Sequence, residues 1–183
     1  MQNNVIERTL VRKLKHKEYN NNGNPLDFTI GLLDSDIPTN QISYAKVLPD
    51  DFDRYIHTGA HLPVVCLNQD EMAIVSDLSA LPSLLLDSNA KNINSVSIHM
   101  PEFSEIPKRY DFYKWIRKYD SGHPCIMFIN NQPVILTVWR TTIAGSSIHT
   151  NKKDLNGMMN KLGGGYQLEE IDLSCFDVLP TKE

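Results

Sequence analysis

The sequence predicts an α+β fold, a mainly antiparallel sheet with helices packed on it in a single domain. Short apolar runs occur in pairs separated by polar turn residues, and helical patterns fall among them without regular βαβ alternation. The length, 183 residues, suits one compact domain better than two.

Composition narrows the function classes. With 41% hydrophobic and 22% charged residues, and only 9 Gly and 10 Pro, the chain is neither collagen-like nor a low-complexity segment. A formal charge of −4 argues against binding nucleic acid or an anionic membrane through the whole surface. Cys66, Cys125 and Cys175 lack CxxC spacing, so neither a structural zinc site nor a disulfide framework is expected, and a reducing cytoplasm is the expected setting. Met1 leads into charged sequence without an apolar leader pattern, and no later apolar run reaches membrane-spanning length.

Residues 5–19 place Ile6, Leu10 and Leu14 four apart, as along one helix face, although a strand also fits. The polar run at 20–25 reads as a loop, so residues 1–25 are expected to form a basic N-terminal arm or helix and residues 26–183 the α+β domain. Strands are expected at 28–33 and 42–48. Pro49, Asp50 and Asp51 then offer a helix start, and Gly59 a stop after about three turns. Residues 63–67 and 72–75 are apolar, with Asn68, Gln69, Asp70 and Glu71 between them. Two readings compete: a β-hairpin turned by those four residues, or a helix with Asn68 as N-cap and Glu71 closing a capping box. The β-branched content favours the hairpin.

Val96, Ile98 and Met100 alternate as in a half-buried strand, and Phe112, Trp115, Ile116 and Tyr119 form one apolar helical stripe. Residues 125–129 and 134–139 flank Asn130, Asn131, Gln132 and Pro133, the best hairpin pattern in the chain, with both arms expected to be central strands. Thr150 or Asn151 can cap a last helix whose Leu155, Met158, Met159 and Leu162 face the core. Gly163, Gly164 and Gly165 end it, and residues 167–173 return as a strand.

Three constellations have the residue types for chemistry. Cys66 with His123 as base would make a cysteine hydrolase or transferase, because a thiolate near a histidine is the reactive form. Asp53, His57 and His61 stand four apart like stacked metal ligands, but Gly59 and Pro63 interrupt the helix they need, and no metal is expected. Between strand and final helix, the loop from Gly145 to Lys153 offers Ser146, Ser147, Lys152 and Lys153, with Arg140 ahead of it, for the anion of a phosphorylated donor. It lacks GxxxxGK[ST] and GxGxxG patterns, so no cofactor is implied.

Charge distribution is more definite. Lys108, Arg109, Lys114, Arg117 and Lys118 on the aromatic helix, with Arg8, Arg12, Lys13, Lys15 and Lys17, hold ten of the 18 basic residues. Such clustering suits an acidic protein surface or phosphates. The expected function is therefore that of a small intracellular regulatory or interaction protein docking a partner through a basic surface. A small enzyme built on one of the two catalytic constellations is the alternative.

Overall fold

The computed structural model describes residues 6–17, 27–40, 42–56, 62–67, 73–78, 95–97, 121–139 and 144–177. Along the chain these form β1 (Leu10–Lys15), β2 (Thr29–Leu33), a 3-10 turn (Phe52–Arg54), β3 (Leu62–Leu67) and β4 (Ala73–Leu78). Then come β5 (Ser95–Ser97), β6 (Pro124–Ile129), β7 (Gln132–Trp139), β8 (Ala144–Ser147) and α1 (Lys152–Leu162). A six-stranded sheet runs in the order β4-β3-β6-β7-β8-β5, and β1 and β2 form a separate two-stranded sheet. All these strand pairs are antiparallel. The expected antiparallel sheet is present, but among the described residues α1 is the one α-helix, so the fold is mostly sheet.

The hairpin of β6 and β7 sits at the middle of the large sheet, and its turn is tighter than the polar run suggests. Ile129 pairs with Gln132, leaving Asn130 and Asn131 as a two-residue connection with φ of 49° and 62°. Two positive φ values define the turn whose twist matches that of paired strands, and asparagine tolerates them better than most residues. Pro133 belongs to the strand, opposite Phe128.

Strands β3 and β4 pair from Leu62↔Leu78 to Leu67↔Ala73, which selects the hairpin reading over the capped helix. Strand β3 also pairs with β6, and there Cys66 stands directly opposite Cys125. Their Cα atoms are 4.1 Å apart and their sulfurs are bonded. The expectation of a chain without disulfides is thereby corrected. The two cysteines are 59 residues apart, and only the long-range register of β3 on β6 brings them together.

Strand β7 separates two buried clusters. The first contains Val64, Met127, Ile129, Val134, Leu136 and Trp139 with the disulfide, covered by Leu48, Ile56, Ile171 and Leu173. The second contains Phe28, Val47, Ile148, Leu155 and Met158, against which Leu14, Ile30, Ile135, Val138 and Leu168 pack. Val134 and Trp139 are an odd number of positions apart yet share the first cluster. The register of β6 on β7 shifts between Cys125 and Ile126, and one extra residue reverses the alternation of side chains.

Other expectations need correction. Residues 10–15 form a strand and no helix; Leu14 packs on the second cluster, and β1 pairs along β2 from Leu10↔Leu33 to Lys15↔Thr29. The helix expected from Pro49 shrinks to one 3-10 turn, with no side-chain cap from Asp51. Residues 42–48 and 167–173 are not regular strands; they meet through a single bridge, Val47↔Glu170, while Lys46 bridges to Val134 of β7. The aromatic helix with Phe112 and Trp115 lies outside the described residues.

Two measurements check this arrangement. Asn131→Gly should keep or raise stability, by up to about 1 kcal/mol, whereas Asn131→Val should lower it by about 1–2 kcal/mol in chemical denaturation. Unfolded without reductant, the chain should present one reactive thiol, Cys175, and three after reduction. Reduction should lower stability by about 2–4 kcal/mol, since the bond closes a long loop in the unfolded chain.

Candidate functional site: an apolar cleft at the seam of the two sheets

A cleft of ≈ 580 Å³ opens between β2, residues 34–37, residues 44–46 and the C-terminal end of α1. Its construction begins with Gly163, which ends α1 in the left-handed conformation (φ 78°) and donates to the carbonyls of Met159 and Asn160. From there the chain crosses back along the helix. The Gln167 side-chain amide donates to Asn160 Oδ1, and the Leu168 N–H to Asn156 Oδ1, both at 2.8 Å. These bonds bring Leu168 and Glu169 alongside Ala45 and Lys46. Ile30, Ile135, Met159, Leu162 and Leu168 supply the apolar lining. The volume lies within the range typical of ligand sites, about 300–1,000 Å³.

The rim is aromatic and charged. Tyr44 and Tyr166, both exposed, pack with ring centroids 6.1 Å apart and planes tilted by 59°. Tyr44 donates its hydroxyl to the Ile37 carbonyl at 2.7 Å. A hydrogen bond to the Asp36 carboxylate holds the Tyr166 proton and raises its pKa above the ordinary phenol value. Burial opposes ionisation of Asp34, but hydrogen bonds from Ser35 and Thr9 and the nearby Arg8 outweigh it and lower its pKa. Lys46 is ion-paired with Glu169. The residues lining the cleft include Asp34, Asp36 and Glu169 against Lys46, with Arg8 and Arg12 bonded to main-chain carbonyls of the same edge.

Two basic residues of the N-terminal segment brace this edge. Arg8 donates to the Asp36 carbonyl from Nε and Nη2, at 3.1 and 3.0 Å. Arg12 donates to the Leu162 carbonyl, at the negative end of α1, where a cation is favourable.

The residues singled out in the sequence fall elsewhere. Cys66 is disulfide-bonded to Cys125 and fully buried, so in this state it offers no thiolate for His123 to activate. Ser146 and Ser147 belong to β8 and are buried, not exposed in a loop. Gly145 is a glycine for packing: a Cβ there would lie 2.1 Å from Thr137 Oγ1 and 2.7 Å from the Val138 carbonyl. Ser147 Oγ is 3.0 Å from Thr150 Oγ1, and its carbonyl accepts from Asn151 Nδ2 at 2.7 Å.

Lys152 points its ammonium at Asp50 (2.8 Å) and at Glu170, so acidic side chains already occupy the place read as an anion site. Lys153 is exposed, and Arg140 lies outside the described residues. So do His57 and His61 of the metal reading and the basic cluster Lys108, Arg109, Lys114, Arg117 and Lys118. Among the described residues, no group of three or more His, Cys, Asp or Glu side chains could hold a metal ion, and no helix is long and apolar enough to cross a membrane.

Sequence reasoning missed the cleft. Helical spacing places Met159 towards the core, whereas it lines the cleft wall. The one local signal was the triple glycine ahead of an exposed tyrosine, which marks where the chain leaves the helix.

The Lys152 cluster makes a stability prediction. Hydrogen bonding to Lys152, and then its charge, lower the pKa of Asp50. Burial opposes the charge on Lys152, but bonds to Asp50 and Glu170 outweigh it and raise the Lys152 pKa. A carboxylate with a depressed folded pKa stabilises the protein above its ordinary pKa and loses that contribution as pH falls through the depressed value. Because Asp50 and Glu170 are well exposed, Lys152→Met should cost no more than about 1 kcal/mol at neutral pH. The difference from wild type in urea unfolding should shrink below about pH 4, as Asp50 protonates.

Neither a protein-family model nor a curated protein matches this sequence.

Proposed function

We propose that this is an interaction protein that docks a protein partner, and that the cleft receives an apolar part of it. The observation that carries this reading is the cleft itself: an apolar lining of residues from β2, β7 and α1, with two exposed tyrosines and the carboxylates of Asp34, Asp36 and Glu169 among its residues. Exposed tyrosines beside an apolar recess are characteristic of binding surfaces, since the ring buries much area and the hydroxyl keeps a polar partner. The partner's contacting segment would be apolar with basic flanks. The basic cluster at Lys108 to Lys118 stays a separate proposal, for an acidic surface elsewhere on a partner.

The disulfide also bears on the setting. Disulfides persist in oxidising compartments. With Cys66 bonded to Cys125, such a compartment suits the folded chain better than a reducing cytoplasm.

A random peptide library displayed on phage tests the reading. The wild-type protein should select peptides with apolar residues and basic flanks. Ala45→Trp, which fills the cleft from its wall, should weaken those peptides at least tenfold in fluorescence anisotropy. Equal binding to the filled variant would place the docking site elsewhere. Failure to select any peptide, with the apolar dye ANS binding wild type but not Ala45→Trp, would make the cleft a small-molecule site.

A further inference from the structure

One edge of β2, unpaired among the described residues, specifies how a peptide would enter the cleft. In an antiparallel pair, main-chain groups of successive residues point alternately towards the partner strand and away from it. The Phe28 carbonyl accepts from the His16 N–H at 3.0 Å, and the Asp34 N–H donates to the Thr9 carbonyl at 2.9 Å, so both residues face β1. Between them, Ile30 and Leu32 face β1 as well. Thr29, Gly31 and Leu33 therefore turn their N–H and C=O groups to the opposite edge, and among the described residues no strand pairs with it. Gly31 and Leu33 are among the residues that line the cleft. Gly31 has no side chain, so its main chain itself forms part of the wall.

We infer that β2 binds its partner by strand addition: an extended segment of about five residues, matching the length of β2, hydrogen-bonds to Thr29, Gly31 and Leu33 as a third strand of the small sheet. The inference rests on the docking role proposed above and gives it a geometry. Side chains alternate across a strand, so every second residue of the added segment falls on the face of Ile30 and Leu32, towards Ile135 and Met159. Those positions call for apolar side chains. The acids Asp34 and Asp36, just past the end of β2, favour a lysine or arginine flanking them. Main-chain hydrogen bonds supply affinity that does not depend on sequence, and the apolar recess supplies selection.

Backbone N-methylation of a peptide selected by the wild-type protein tests this, because it removes one N–H at a time and leaves every side chain in place. Methylation at alternate positions should weaken binding at least tenfold, while the intervening positions should stay within about threefold. A methylation effect without this period of two, in a peptide that Ala45→Trp still weakens, would overturn strand addition and leave cleft docking standing. If no peptide is selected, both readings fail. A concentration-dependent dimer in analytical ultracentrifugation that Ala45→Trp dissociates would identify the occupant as a second copy of this chain and overturn the proposal of a foreign segment.

Discussion

Two residues, Lys46 and Val47, join the parts of this fold. The Lys46 N–H donates to the Pro133 carbonyl at 2.8 Å, and its own carbonyl accepts from Ile135 at 2.9 Å, which ties it to β7. Val47 turns the other way. Its N–H donates to the Glu169 carbonyl and its carbonyl accepts from Ile171, both at 2.9 Å. One short extended segment is thus hydrogen-bonded in parallel on both sides, to the central strand on one and to the C-terminal stretch on the other. The side chains repeat the division: Val47 is fully buried in the second cluster and Leu48 is buried in the first. Each bond contributes a modest net stability, of about 1 kcal/mol, but leaving such groups buried and unpaired would cost more. The clasp is therefore better viewed as a constraint on geometry than as a store of energy.

The cleft follows from this constraint. Tyr44 and Ala45 precede the clasp, and Gln167 and Leu168 precede its other strand, so pairing Lys46 and Val47 fixes both as neighbouring walls. The Lys46 ion pair with Glu169 lies across the same junction. Its effect is to fix register more than to add stability, because Glu169 is exposed and such pairs are worth little.

What the sequence could show divides along the same line. The hairpin of β6 and β7 was legible because its turn and both arms lie within sixteen residues of each other, from Pro124 to Trp139. Helix α1 was legible for the same reason: its apolar spacing and its glycine stop are local. Residues 42–48 looked like a strand, yet alternation of apolar residues cannot reveal that consecutive residues bond to different neighbours. The Cys66–Cys125 bond depends on register between β3 and β6, and the fate of Lys152 depends on Asp50, 102 positions away. Gly145 is a further case, since a glycine in a small-residue loop and a glycine pressed against Thr137 are the same letter. The candidate site was least visible because it is assembled from four separate stretches, 30–37, 44–46, 135 and 159–169, none of which carries a motif.

The distribution of burial gives a reason why the docking proposed above would fall at the small sheet and not the large one. The large sheet has a covalent crosslink and strands buried on both faces at β7, so its middle has little scope to respond to a partner. The small sheet is different: five of the six residues of β1 and three of the five of β2 are exposed, and a two-stranded sheet is marginal unless something packs on it. Leu14, Ile30 and the Arg12 bond to the end of α1 supply that support from one side. A third strand beside β2 would satisfy the main-chain groups of Thr29, Gly31 and Leu33 and cover the apolar lining in the same step. Because the clasp already holds the opposite wall in place, the entropy lost on docking falls mainly on the incoming segment, which is the condition under which a short peptide can bind a preformed groove.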